Sequence, residues 1–376
     1  MNITGITASA SLPPSFHKSE VPRTKSAIGA IDLFESAKTP QQLDPKFPLV
    51  TPTIFESVSA EKSSQATPLL SSSPLSDLTE FPEIKAAIEA EAGQNLQDGN
   101  RTGFVKSHLT PAKGVVLGLH GWSAGTWQFE HLAPQLAAQG YHVYIPRLPG
   151  HGVVDDTGQP TSRDFPINNQ MNRYSEFADK AYAEAASLGL PVHTIGLSGG
   201  GAIALDIAGR HEVASSMLYD PFLSPGDSTA DTLMTVFKWL DKITFGLASL
   251  ILRLIPVVFE GPKKDIEKWG RNGHVNFNAA QIFTLTHYGR QAIANAKRST
   301  SPIQVLGTEF EPGVVSQSRL KEVAATGENR KLYTFDSNSS VPHAMIHWRE
   351  FNDDEARARV RAMTLDFLES RSPLSS

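Results

Sequence analysis

The stretch His193-Thr194-Ile195-Gly196-Leu197-Ser198-Gly199-Gly200-Gly201-Ala202-Ile203-Ala204 decides the fold. Its first half, opened by Val192, is a short apolar run of the kind that forms a buried strand. Its second half, from Ala202 to Gly209, has helical composition, and only a Gly-rich turn separates the two. A turn this tight forces the residue at its apex into strained backbone angles and leaves no room for side chains two positions before and after it. Gly196 and Gly200 meet that demand, and the apex is Ser198. A serine held there stands clear of the carboxyl edge of a parallel sheet, where open α/β sheets bind their ligands.

The pattern extends in both directions. Upstream, Gly103 to Leu109 alternates like a strand, Val115-Val116-Leu117-Gly118-Leu119 reads as a buried strand, and Phe129, Leu132 and Leu136 share one helix face that ends at Gly140. Tyr141–Ile145 is a further strand, and a helix carries Tyr174, Phe177, Ala181, Tyr182 and Leu188. Downstream, Val213–Tyr219, Ile303–Leu306 and Leu332–Phe335 have strand character, and a last helix carries Val360, Met363, Phe367 and Leu368. Strands alternating with helices imply a mostly parallel sheet with helices on both faces. The alternation breaks at residues 222–301, which read as helices only, with Leu233, Val236, Phe237, Leu240, Ile243, Leu247, Leu250 and Leu254 at helical spacing.

Composition narrows the classes. The 376 residues carry a net charge of −5, which gives no basic field for a nucleic acid partner. There is no cysteine, so disulfides, thiolate metal sites and a cysteine nucleophile are excluded together. No metal-ligand spacing and no phosphate-binding loop is found, and no cofactor is expected. No stretch is apolar enough to span a bilayer, and the first residues lack the basic and leucine-rich regions of a secretory signal, so a cytoplasmic location is expected. Residues 1–80 hold 14 Ser, 8 Thr and 9 Pro and are read as mostly disordered, with a non-classical export signal or partner-binding arm as the sharper alternative. The expected division is therefore 1–80 as a tail, 81–221 with 302–372 as the α/β core, and 222–301 as a helical insertion.

Three motifs together, Leu119-His120-Gly121-Trp122-Ser123, Pro146-Arg147-Leu148-Pro149-Gly150-His151-Gly152 and the turn Gly196-Leu197-Ser198-Gly199-Gly200, resemble those of the α/β-hydrolase superfamily. Within it the chain is similar to carboxylesterases and monoacylglycerol lipases, from about Gly103 to Ser370. The resemblance implies the α/β-hydrolase fold, with the helical insertion acting as a cap after the fold's sixth strand. It also implies a serine nucleophile followed in chain order by an acid and a histidine.

A serine hydroxyl needs a base to take its proton, and the base needs a carboxylate to hold its tautomer. Ser198 is the nucleophile. Of twelve histidines, His343 and His347 follow the last strand; His343, in a loop and followed by a small residue as in the resembling members, is taken as the base. For the acid, the resemblance favours Glu311, three positions before a valine, over Glu309. Asp220, at the end of an earlier strand, is the third candidate, since some members place the acid there. By the same resemblance the backbone N–H groups of Gly199 and Trp122 form the oxyanion hole, while His120 and His151 are structural. The expected activity is hydrolysis of a small carboxylic ester, medium-chain or monoacylglycerol-like, through an acyl-enzyme. An acyltransferase, thioesterase or C–C hydrolase with the same triad, and a non-catalytic ligand-binding member, are the alternatives. A membrane-surface helix would need a basic polar face, but Lys238, Lys242 and Arg253 are matched in sequence by Asp231 and Asp241, so the charge pattern gives interfacial action no support.

Overall fold

The computed structural model describes residues 73–371, apart from 168–169, 227, 245–246, 260–262, 265–272 and 312. Strands β1 (Gly103–Val105), β2 (Gly114–Leu119), β3 (Tyr141–Ile145), β4 (Val192–Leu197), β5 (Ser215–Tyr219), β8 (Ile303–Thr308) and β9 (Arg330–Phe335) form one sheet in the order β1-β3-β2-β4-β5-β8-β9. β1 runs antiparallel to β3 and every other pair is parallel. Every residue of β2, β3, β4 and β5 is buried, the signature of strands covered on both faces.

The period of two in each strand sends side chains to two separate cores. Val115, Leu117 and Leu119 join one with helices α3 (Asn172–Ala186) and α4 (Gly199–Arg210). Val116, Ile195 and Leu197 join the other with α2 (Leu132–Ala138) and the C-terminal helix α9 (Asp354–Glu369). α4 starts immediately after Ser198, three residues before its sequence pattern does, because glycine carries no apolar signal.

The insertion leaves the sheet after β5, the fifth strand of the described chain. It opens with α5 (Ser228–Ile243) and α6 (Leu247–Leu252), then forms a short antiparallel ribbon, β6 (Pro256–Val258) with β7 (Asn276–Asn278), where helix alone was expected. Three-residue strands are too short to show a period, which is why the pattern hides them. The following helix α7 (Ala279–Ala296) starts on a capping box between Asn278 and Gln281 and then lies along α4. Tyr288, Ala292, Ile293 and Ala296 sit in the main core. Close approach of the two helices requires Gly209, where a Cβ would stand 2.6 Å from the Asn295 carbonyl carbon. A buried carboxylate, Asp206, ties the pair together by accepting from Tyr288 Oη at 2.8 Å, Asn295 Nδ2 at 2.8 Å and Arg210 Nη2 at 2.8 Å. Gln317–Ala324 forms the remaining helix, α8, between β8 and β9.

Residues 1–72 of the expected tail lie outside the described residues. Residues 73–80 do not behave as a tail. Ser73 N–H donates to Phe104 O at 2.8 Å, and Leu78 in the turn Leu75–Leu78 is wholly buried in the main core. We therefore expect Leu78→Ala to cost about 2–4 kcal/mol, the usual penalty for an emptied leucine site. We likewise expect a chain beginning at Pro82 to unfold at distinctly lower urea concentration than one beginning at Ser73. Equal urea midpoints for the two chains would show that this segment adds nothing to the core.

Candidate active site

Ser198 sits at φ 52, ψ −117, a conformation that strains any residue with a Cβ. Its backbone is fixed from both sides: Ser198 N–H donates to Tyr219 O at 2.9 Å, and Ser198 O accepts from Phe222 N–H at 2.8 Å. The glycines around it answer to contacts. A Cβ on Gly196 would meet Gly200 O at 2.4 Å, and one on Gly200 would meet Leu119 O at 2.2 Å. A Cβ on Gly199 would stand 2.5 Å from Trp122 Cβ. The turn after β4 is thus pressed directly against the loop after β2, which carries Trp122. Neither the Trp122 N–H nor the Gly199 N–H has an acceptor among the described residues.

The histidine and acid expectations divide here. His343 is on the loop between β9 and α9, and its Nδ1 lies 2.5 Å from Asp220 Oδ2. The carboxylate on the imidazole is therefore Asp220 and not Glu311, which corrects the reading drawn from the resemblance. Asp220 follows β5 directly, its φ of 41 turns it at the edge of the sheet, and it is wholly buried. A buried carboxylate without a partner is costly, and the His343 ring supplies the short contact that Asp220 needs; Thr308 N–H is farther, at 3.4 Å. Glu311 lies three residues beyond β8, on the exposed rim, and its Oε2 accepts the backbone N–H of His343 at 2.8 Å. It holds the loop that carries the ring rather than the ring itself. Glu309 is exposed, and its backbone N–H donates to Phe335 O at 2.8 Å.

Burial alone would push the His343 pKa down. The hydrogen bond to Asp220 and its charge, with that of Glu311 added, outweigh this and raise it above the ordinary value of about 6.5.

The remaining histidines near the site make structural contacts. His120 is buried, which pushes its pKa down to about 3; its Nε2 accepts from Leu148 N–H at 3.2 Å. His151, also driven well down by burial, contacts Trp122 O through Nε2. His347, completely buried, packs edge-on against Trp127 and contacts Glu350 Oε1 at 3.1 Å.

Sequence reasoning missed how the inserted segment grips the loop after β2. His274 N–H donates to Ser123 O at 2.8 Å, and its ring Nε2 accepts from Gly152 N–H at 3.0 Å. Phe277 of β7 stacks on Trp122 at 4.3 Å, Phe259 stands 5.9 Å away and Phe165 5.2 Å, while Trp122 Nε1 donates to Tyr174 Oη at 2.8 Å. No local signal marks His274, because its partners lie more than a hundred residues away in the chain. No group of three or more metal-ligating side chains is gathered among the described residues.

A solved monoglyceride lipase from Saccharomyces cerevisiae, a soluble variant with a substrate analogue, superposes with a TM-score of 0.55 at 15% identity, covering 74% of this chain and 95% of that one. The monoacylglycerol lipase of Paleococcus ferrophilus gives 0.53 at 16% identity, covering 72% and 98%. Both likenesses establish the fold. A curated AB hydrolase superfamily protein of Gibberella zeae is 31% identical over 108 residues, 29% of this chain, and the match spans about a third (34%) of that protein's length. The family model described as "Alpha/beta hydrolase family" matches residues 116–361, which include Ser198, Asp220 and His343, and the chain belongs to that family.

Proposed function

We propose that the protein is a serine hydrolase that cleaves carboxylic esters through an acyl-enzyme. The observation that carries this reading is the 2.5 Å contact between His343 Nδ1 and the buried Asp220 carboxylate, at the sheet edge where Ser198 stands strained. In this reading Ser198 Oγ attacks the ester carbonyl as His343 Nε2 takes its proton. Asp220 accepts the Nδ1–H and stabilises the imidazolium that forms. The N–H groups of Trp122 and Gly199 receive the negative oxygen of the tetrahedral intermediate. Collapse of the intermediate passes the proton from His343 to the departing alcohol. Water, activated by the same imidazole, then releases the acid and restores Ser198.

The substrate class favoured is a medium-chain or monoacylglycerol-like ester. It is supported by the aromatic wall that Phe259, Phe277 and Phe165 build around Trp122, which suits an apolar acyl group, and by the names of the two lipases of the same fold.

Turnover of p-nitrophenyl esters tests the roles. Ser198→Ala should lose at least about a thousandfold in kcat, and Asp220→Asn about ten-thousandfold, through the loss of charge and correct tautomer. Glu311→Gln should lose roughly tenfold or less, since the amide oxygen can still accept the His343 backbone N–H and only the charge that strengthens that bond is lost. A severe loss in Glu311→Gln with a mild one in Asp220→Asn would reverse the two carboxylates' roles.

The pH profile gives a second test. His343 serves as base only when neutral, and its pKa is raised, so kcat/KM should climb with pH through a midpoint above about 6.5. Glu311→Gln removes one of the charges that raise it and should move the midpoint down. An upward or absent shift would contradict the electrostatic role given to Glu311.

A further inference from the structure

Of the eleven large hydrophobic side chains exposed among the described residues, nine lie between Leu233 and Val258, so the exposure is a property of the cap and not of the surface at large. Leu233, Val236, Trp239 and Ile243 line α5, and Leu250 and Leu254 continue the patch through and beyond α6; Trp239 is 62% exposed and Leu254 80%. These are not core positions left open by a poor fit. The opposite side of the same helices has its own core, in which Met234, Phe237 and Ile255 pack on Leu252, Ala280 and Phe283. A contiguous apolar face of this kind on a folded domain marks a surface that meets something else.

The charges identify what it meets. In sequence, Asp231 and Asp241 offset the lysines of α5. In the structure Asp231 is turned inward, with Oδ1 2.5 Å from Arg290 Nη2 and Oδ2 3.1 Å from Arg319 Nη2, and Asp241 is half-buried. The exposed charged side chains among the described cap residues are Lys238, Lys242, Arg253, Lys263, Lys264, Lys297 and Arg298, all basic; Lys238 and Lys242 lie on α5 beside the apolar face. An apolar face with an outward tryptophan and a basic surround fits the boundary between acyl chains and anionic headgroups. It fits a second copy of the chain poorly, since pairing the patch with itself would oppose like charges. No described helix is long and apolar enough to cross a membrane, so the face lies on the surface rather than spanning it.

We propose that the outer face of α5 and α6 docks on an anionic phospholipid bilayer. This goes beyond the hydrolase reading, and binding is read without turnover, so either can fail alone.

The full chain is sedimented with phosphatidylcholine vesicles with and without phosphatidylglycerol. Binding should require the anionic lipid and weaken with added salt. Trp239→Ser combined with Leu254→Ser should reduce partitioning more than tenfold. Lys238→Ala and Lys242→Ala should each reduce it about fivefold. All variants should keep their far-UV circular dichroism and their turnover of a water-soluble short ester within twofold. The fluorescence blue shift on binding should be smaller in Trp239→Phe. No binding to anionic vesicles overturns the proposal. So does a dimer in analytical ultracentrifugation that the same double substitution dissolves, because the occupant would then be a second copy.

Discussion

Removing every side chain from four positions around one serine is the constraint on which this molecule depends. The passage from β4 into α4 turns at Ser198 with no spare residue. Gly196 lets the chain fold back onto Gly200, and Gly200 lets it lie against the carbonyls of Leu119 and His120. Gly201 lets α4 pass Pro221, and Gly199 brings Trp122 within contact of the turn. A single methyl group at any of these positions would force backbone against backbone or side chain, in a region with no void to absorb it. The strain at Ser198 is held by the hydrogen bonds that tie it to Tyr219 and Phe222, the residues flanking Asp220 and Pro221. Ser198 and Asp220, the proposed nucleophile and acid, therefore belong to one rigid unit, and only His343 arrives from a distant loop.

That arrangement explains how much of the site could be read from the sequence. Ser198 was legible because its requirements are local: strand, glycines and helix adjoin in the chain. The strands β3 and β4 were legible to the residue because each is a short, mostly apolar run bounded by Gly or Pro: β3 between Gly140 and Pro146, β4 between Pro191 and the glycine turn. The acid was not legible, because the choice depends on which carboxylate reaches a ring 123 residues beyond Asp220. Asp220 and Glu311 both lie near the same sheet edge, and a pattern shared with relatives favoured the latter. Geometry separates them. Asp220 leaves its strand at once and is buried under the ring, whereas Glu311 stands on the rim and reaches only the main chain. The clamp by His274 was invisible for the same reason, since its partners are remote in sequence, and the ribbon β6–β7 was hidden because three-residue strands show no period.

The cap has two faces of unlike chemistry. Inside, His274 and Phe277 fasten the returning strand to the loop after β2, and His120, His151 and His274, the last pushed down to about 4 by burial, brace that loop as neutral groups. Keeping these rings uncharged leaves Asp220 and Glu311 as the charges that set the basicity of His343. Outside, α5 and α6 present an apolar patch from which Asp231 is withdrawn into pairing with Arg290 and Arg319. Asp231 is the hinge of both roles: its pairing anchors the start of α5 to α7 and α8 and leaves the outer surface basic.

The central claim, that Ser198 is a nucleophile activated by His343, is tested most directly by covalent labelling. The intact protein is treated with a fluorophosphonate and its peptides are examined by mass spectrometry. The account predicts one adduct, on Ser198, formed quickly in the native chain and lost in His343→Ala, while His347→Ala, if folded, still labels. Labelling on a different serine, or labelling of Ser198 that is as fast without His343 as with it, would contradict it.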